Sequence, residues 1–189
     1  EAGHKSGYGY ELLQLLARYT NWEYEYVGYG KSWEEMQEML ANGQLDLLTS
    51  AQKTPGREAR FVFSERPVGY SSIVFTTLPD NERFTAGDYQ SYDGARVGLL
   101  RGNSRNREFA EYAQHSGFTF TPVYYENPTA LVQALQDRQV DAIVSSNLRA
   151  VRHEWILNQF APSPFYAVVQ KNRPQLLFQL NTAITQLDI

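Results

Sequence analysis

One phrase occurs twice in this chain, and the repeat constrains the fold more than any single motif does. "NGQLDLLTS", residues 42–50, follows "EEMQEML"; "DRQVDAIVSS", residues 137–146, follows "TALVQAL". Asp46 and Asp141 set an offset of 95, and the same offset pairs Met36 with Leu131, Leu40 with Leu135, Gln44 with Gln139, Leu45 with Val140 and Ser50 with Ser145. Apolar falls on apolar and polar on polar, as two copies of one helix–turn–strand unit require.

The flanking sequence extends both copies. In the first, "YELLQLLARYTNW" spaces Leu12, Leu15, Leu16 and Tyr19 as the apolar face of a helix. "EYEY" (23–26) alternates acid and aromatic, the pattern of a half-buried strand. "KSWEEMQEML" then predicts a helix with Ser32 as N-cap, Glu35 as its capping-box partner, and Met36, Met39 and Leu40 toward the core. Asn42-Gly43 ends it, and "LDLLTS" reads as a buried strand. In the second copy "ARVGLL" is a strand, "SRNREFAEYAQHSG" a helix and "FTFTPVYY" a strand, so both copies run helix, strand, helix, strand. That alternation predicts an α/β fold with parallel pairing and two similar lobes. "SSIVFTTLPDNERFTAGDYQSYDG" would cross from one lobe to the other, and "APSPFYAVVQ" would cross back. The closing helix then carries Leu176, Leu177, Leu180 and Ile184 on one side.

Composition excludes several classes. The chain of 189 residues is long enough for a real core, and its 42% hydrophobic and 20% charged residues are ordinary for a globular protein. A net charge of −4 gives no basic face for a nucleic acid, and "QKNRPQ" is too small a patch to argue for one or for a membrane. The absence of cysteine removes disulfides, thiolate nucleophiles and Cys-based metal sites. His4, His115 and His153 match no metal-ligand spacing, and no cofactor signature is present. No apolar run reaches the ~20 residues that span a bilayer. The polar, Gly-rich opening "EAGHKSGYGYE" reads as the middle of a domain rather than its start.

The stretches "GYGYELLQLLARYTNWEYEYV" and "SWEEMQEMLANGQLDLLTSAQKTPGREARFVFSE" resemble the first lobe of the bacterial extracellular solute-binding proteins of family 3. "VGLLRGNS" and "ALVQALQDRQVDAIVSSN" resemble the second lobe, and "PFYAVVQKNRPQLLFQLNTAI" the return strand and following helix. The most specific piece is "TPGREARFVFS", in which Thr54, Arg57, Phe63 and Ser64 keep the family spacing. The wording is most similar to the versions that serve as extracytoplasmic sensor domains of membrane signalling proteins. The resemblance implies the type II periplasmic-binding fold, two lobes joined by two crossover strands. Lobe 1 would be 1–76 with 166–189, and lobe 2 would be 77–165. It also implies that the family's first strand lies before Glu1 and that a terminal helix after Ile189 is absent or short. An open strand position in lobe 1 would leave backbone groups unpaired unless a neighbouring segment fills it.

In such a fold a small solute sits at the carboxyl ends of the strands. Thr49 and Ser50 in lobe 1, and Ser145 and Ser146 in lobe 2, end the repeated strands with hydroxyls that donate and accept. They equally suit the capping of strand ends. The resemblance implies that Arg57 grips a ligand carboxylate, which a guanidinium does with two parallel bonds; the alternative is a surface ion pair with Glu58 or Glu65. Trp33 opens a helix at a position facing ligand in the family, or else staples that helix. Gln52 stands where many amino-acid binders have serine, and backbone N–H groups at Asn103 and Ser104 are placed to hold an anion. Ser146 replaces the acid that pairs with an α-ammonium in amino-acid binders. The implied ligand is therefore a small polar or carboxylate-bearing solute, amino-acid-like.

The partners implied are that solute and either a membrane-bound output module in the same polypeptide or an ABC permease. A degenerate module that binds no solute is one alternative. A dehydratase-like enzyme is another, but the repeated strand ends offer no carboxylate for acid–base work, and no "GxSxG" elbow supports a serine nucleophile.

Overall fold

The computed structural model describes residues 8–28, 30–149, 151 and 153–187. In chain order its elements are α1 (Tyr8–Ala17), α2 (Trp33–Ala41), β1 (Leu47–Ala51), α3 (Pro55–Glu58), β2 (Phe61–Phe63), β3 (Gly69–Thr77), a 3-10 turn at Tyr89–Tyr92, and β4 (Ala95–Leu100). There follow α4 (Arg105–Ser116), β5 (Phe120–Tyr125), α5 (Pro128–Gln136), β6 (Ala142–Ser146), β7 (Trp155–Gln170) and α6 (Pro174–Thr185). The fold is mixed α/β, and it divides into two compact units. Unit 1 runs to Tyr70 and resumes at Ser163; unit 2 is Ser71–Pro162. The sequence reading put the crossings at 76/77 and 165/166. The observed ones fall inside the continuous strands β3 and β7, where no break in hydrophobic pattern marks a boundary.

Adding 95 to the bounds of α2 and β1 gives 128–136 and 142–146, which are the bounds of α5 and β6. The caps correspond as well. Ser32 accepts the Glu35 N–H at 3.1 Å while the Glu35 carboxylate accepts the Ser32 N–H at 2.7 Å, the full capping box. At the equivalent place Asn127 accepts the Ala130 N–H at 2.9 Å, and Pro128 opens the helix without needing an N–H.

In unit 1, β1 and β2 both pair antiparallel with the last residues of β7. Leu12 and Leu16 of α1 pack with Phe165, Ala167, Leu180 and Ile184, while Leu40 of α2 packs with Leu48, Phe61 and Val168. Three sequence expectations change here. The pairing is antiparallel, because the returning strand β7 lies beside β1. Residues 23–26 form no strand, although Trp22, Tyr24 and Tyr26 are half-buried in alternation with exposed neighbours. Leu15 and Tyr19 are exposed rather than on the core face of α1.

In unit 2 the strand order is β3-β6-β4-β5. β4 lies parallel to β5 on one side and to β6 on the other, and β3 is antiparallel to β6. Here the parallel pairing read from the sequence is present. Phe75, Tyr92, Val97 and Phe109 form one buried cluster and Leu131, Leu135, Val140 and Ile143 another. Asp141 ties β4 to β6: its carboxylate accepts the Arg96 N–H at 2.8 Å and a guanidinium N–H of Arg96 at 3.0 Å. Burial works to raise the Asp141 pKa, but the Arg96 hydrogen bonds outweigh it and hold the carboxyl below its ordinary value.

Candidate functional site

In unit 1 the turn "TPGRE" becomes the short helix α3 for local reasons. Thr54 caps it by accepting the Arg57 N–H at 3.3 Å, and Pro55 supplies a fixed first residue. This turn sends the Arg57 side chain back over the preceding strand end. Its Nη1 donates to the Gln52 carbonyl at 2.8 Å, and its guanidinium lies 5.9 Å from the ring centroid of Trp33, the first residue of α2. The Gln52 amide reaches Ser163 Oγ at 3.4 Å. Trp33, Gln52 and Arg57 are thus brought together.

The ion pair with Glu58 or Glu65 is not formed. Lys53 takes Glu58 at 3.5 Å, and Glu65 is held through its N–H by Asn181 at 2.9 Å. Among the described residues Arg57 has no carboxylate partner, and it is half-buried against an aromatic face. That arrangement leaves a cation oriented and only partly solvated, able to fork onto an anion.

Thr49 and Ser50 are placed differently. Thr49 lies against the start of α1, where a side-chain carbon at Gly9 would come 2.8 Å from Thr49 Oγ1. Ser50 is exposed. Neither is joined to Arg57 or Trp33 by a hydrogen bond among the described contacts. The alternation of β1 sends Thr49 and Ser50 to opposite faces, so they do not act as a pair.

In unit 2 the loop after β4 holds Asn103 and Ser104. The Asn103 N–H is taken by the Leu100 carbonyl at 3.3 Å, and its Oδ1 accepts the Arg105 N–H at 2.9 Å. One of the two N–H groups expected to meet an anion, that of Asn103, is therefore used within the loop, as is that of Arg105. Ser104 has helical φ and ψ and makes no side-chain cap, so its exposed hydroxyl can meet a solute. Beside it, Arg105 was not singled out from the sequence. Burial pushes its pKa down, with Glu108 opposing, which marks a cation partly withdrawn from water at a helix start.

The end of β6 is more occupied than the sequence suggested. Ser146 Oγ accepts the Leu148 N–H at 3.1 Å, a local turn that satisfies loop backbone. Ser145 is buried and accepts from Arg149 Nη2 at 3.2 Å. Arg149 also forks onto Glu154 at 2.9 and 2.8 Å, and Glu154 accepts from the buried Thr76 hydroxyl. The Glu154 side chain has no exposure, and that of Arg149 has 18%. The acid near the place of Ser146 is therefore already neutralised by a guanidinium. A carboxylate nine residues after Ser145, in a stretch without helical or strand periodicity, gave no sequence signal for this pair.

No group of three or more His, Cys, Asp or Glu that could hold a metal occurs among the described residues. None of the described helices is long and apolar enough to cross a membrane.

The model of the bacterial extracellular solute-binding proteins, family 3, matches residues 1–188. No curated protein matches the chain significantly in sequence. Among solved structures, an ancestral cationic amino acid solute-binding protein, AncCDT-1, aligns with TM-score 0.81 at 19% identity, covering 98% of this chain and 81% of that one. The probable amino-acid ABC transporter extracellular-binding protein ytmK from Bacillus subtilis aligns with TM-score 0.79 at 18% identity, covering 98% and 83%. The periplasmic VFT2 domain of BvgS from Bordetella pertussis aligns with TM-score 0.66 at 22% identity, covering 95% and 77%. These likenesses carry the fold, a two-lobed periplasmic-binding architecture, and the first two of these proteins are binding proteins by name.

Proposed function

The chain belongs to the bacterial extracellular solute-binding proteins, family 3, whose members bind solutes outside the cytoplasm, and from that premise we propose that it holds a small carboxylate-bearing solute through Arg57. The observation that carries this reading is the Arg57 guanidinium, anchored at 2.8 Å on the Gln52 carbonyl beside Trp33 and without a carboxylate partner among the described residues. Trp33 would cover an apolar or cationic part of the solute, and Gln52 would add an amide contact. In unit 2, Ser104 and Ser146 offer hydroxyls that could meet a solute. With Ser146 in place of an acid and Glu154 paired to Arg149, an α-ammonium finds no unneutralised carboxylate at that strand end among the described residues, which favours a carboxylate or neutral polar head over a standard α-amino acid.

The role we favour is that of a sensor ectodomain, extracytoplasmic and feeding a membrane-bound output module. A solute that contacts groups on both units binds their closed arrangement better and so shifts the population toward it, which would be the signal. The second reading is a substrate-binding protein serving an ABC permease, supported by the likeness to ytmK. The test is a thermal-shift screen against amino acids, small carboxylates and neutral polar solutes, followed by calorimetric titration of hits. The expected result is a dose-dependent rise of the midpoint for a small carboxylate. Arg57→Ala should weaken that binding by about 2–5 kcal/mol with no loss of fold, because the guanidinium is not part of a core. Unchanged affinity in Arg57→Ala removes Arg57 from the site. Silence across the screen favours a module that binds no solute.

A further inference from the structure

Three arginines stand where β4 gives way to α4, and the middle one is unlike the others. The side chains of Arg101 and Arg107 are 61% and 87% exposed, and each is paired, with Glu126 at 2.7 Å and with Glu111 at 3.0 Å. Arg105 is half-buried, yet among the described residues only its backbone N–H is taken, by Asn103, and its guanidinium has neither an ion pair nor a hydrogen-bond acceptor. Glu108, the acid of the same turn, is exposed and forms no ion pair with it. A cation drawn out of water without a counter-charge costs free energy that the fold does not recover, and such groups gather at binding sites.

Packing shows where this cation is held. α4 starts after the carboxyl end of β4 and packs on β6, which runs parallel to β4, so the first turn of the helix and the end of β6 lie at one edge of the sheet. Phe109 and Ala113 are buried in one cluster with Ala142 and Val144. The Phe109 ring lies 5.0 Å from that of Phe75, which is the partner of Val144 across the β3–β6 pair. Arg105 comes one helical turn before Phe109, on the face that carries Phe109 and Ala113; Ser146 comes two residues after Val144, on the face that carries Val144 and Ala142. That alignment places Arg105 at the strand end that bears Ser146. The Ser146 Oγ accepts the Leu148 N–H at 3.1 Å, which leaves its O–H to donate. Ser104, next to Arg105, has an exposed hydroxyl that caps nothing.

We propose that Arg105, with the hydroxyls of Ser104 and Ser146, is a carboxylate-binding subsite of unit 2, and that the solute is therefore a dicarboxylate. The second clause rests on the reading of Arg57, which takes the other carboxylate. All three side chains of the subsite present donors, and a carboxylate accepts through both oxygens. An ammonium there would meet a like charge, and a neutral amide would leave the guanidinium uncompensated. Arginine suits this place better than lysine, because its planar fork engages two oxygens at once.

The test is calorimetric titration of the whole chain with the straight-chain dicarboxylates from malonate to adipate, each set against its monoamide, which keeps the shape and loses one charge. The best dicarboxylate should bind about tenfold or more tightly than its monoamide, the worth of one charge-assisted pair. In Arg105→Gln that ratio should fall to about one through loss of dicarboxylate affinity, and Arg105→Lys should restore part of it. A general loosening of the fold weakens both compounds alike, so the ratio reads the charge. Equal affinity of the parent chain for acid and monoamide, or an Arg105→Gln variant that keeps the ratio, overturns the subsite and leaves Arg57 in place. Dicarboxylate affinity unchanged in Arg57→Ala removes Arg57 instead, and with it the dicarboxylate, while the Arg105 subsite stands. Binding by no member of the series overturns the proposal outright.

Discussion

Units 1 and 2 share a helix–turn–strand module residue for residue and then diverge in what they build around it. In unit 2 the module's strand, β6, is one edge of a parallel ladder completed by β4 and β5. In unit 1 the equivalent strand, β1, pairs among the described residues only with the returning β7, and antiparallel. The difference teaches that a repeated sequence fixes local structure, helix bounds and caps included, but not the pairing of the strand it ends in. Pairing depends on which other segments arrive beside it.

The comparison breaks most sharply at the buried ion pair of unit 2, which has no equivalent among the described ion pairs of unit 1. Arg149→Ala leaves the Glu154 carboxylate buried without its counter-charge, and should cost about 3–5 kcal/mol in urea unfolding. A double replacement of Arg149 and Glu154 by apolar residues of similar volume should recover most of that loss.

Next comes the aspartate of the repeat. The Asp141 side chain is 19% exposed and bonded to the backbone of β4, while that of Asp46 is 69% exposed. Asp141→Asn should therefore destabilise by about 1–3 kcal/mol, and Asp46→Asn by less than about 1 kcal/mol. The pH dependence sharpens this contrast. The folded-state pKa of Asp141 lies below its unfolded value, so its contribution is fully present above about pH 4 and is lost as pH falls through the lower folded value. The loss of stability below pH 4 should be shallower in Asp141→Asn than in the parent chain, read from denaturant midpoints across pH.

The smallest effect separates the two caps. Ser32→Ala removes one arm of a reciprocal box, Asn127→Ala a single bond beside a proline that needs none. Each should cost about 1 kcal/mol, with Ser32→Ala the larger. Equal costs would mean that the reciprocal arrangement gives the Ser32 hydroxyl no advantage over the single cap bond of Asn127.

Much of the fold was legible because periodicity and capping are local. Ser32 and Glu35 announced α2, Gly43 its end, and the offset of Asp46 and Asp141 the duplication. The segment at 23–26 carried a strand pattern truthfully in its burial, yet it forms no strand, since a strand needs a partner and no local signal supplies one. The site was legible in part. Arg57, Trp33 and Gln52 fall together because a capped turn folds Arg57 back toward its neighbours. Thr49 could be separated from them only once its contact with the start of α1 was seen, and the buried pair of Arg149 and Glu154 is a contact between segments that no motif connects.

The division of the chain also sets an order of events during synthesis. Unit 2 is one uninterrupted stretch, Ser71–Pro162, whereas unit 1 needs the segment from Ser163 onward. Although its first residues emerge from the ribosome earlier, unit 1 must wait for the last ones, and unit 2 is complete before it. Until β7 and α6 are made, Leu12, Leu16 and Leu40 have no Phe165, Val168 or Leu180 to cover them. The stretch that carries these leucines thus keeps its apolar face uncovered longer during synthesis than unit 2 does.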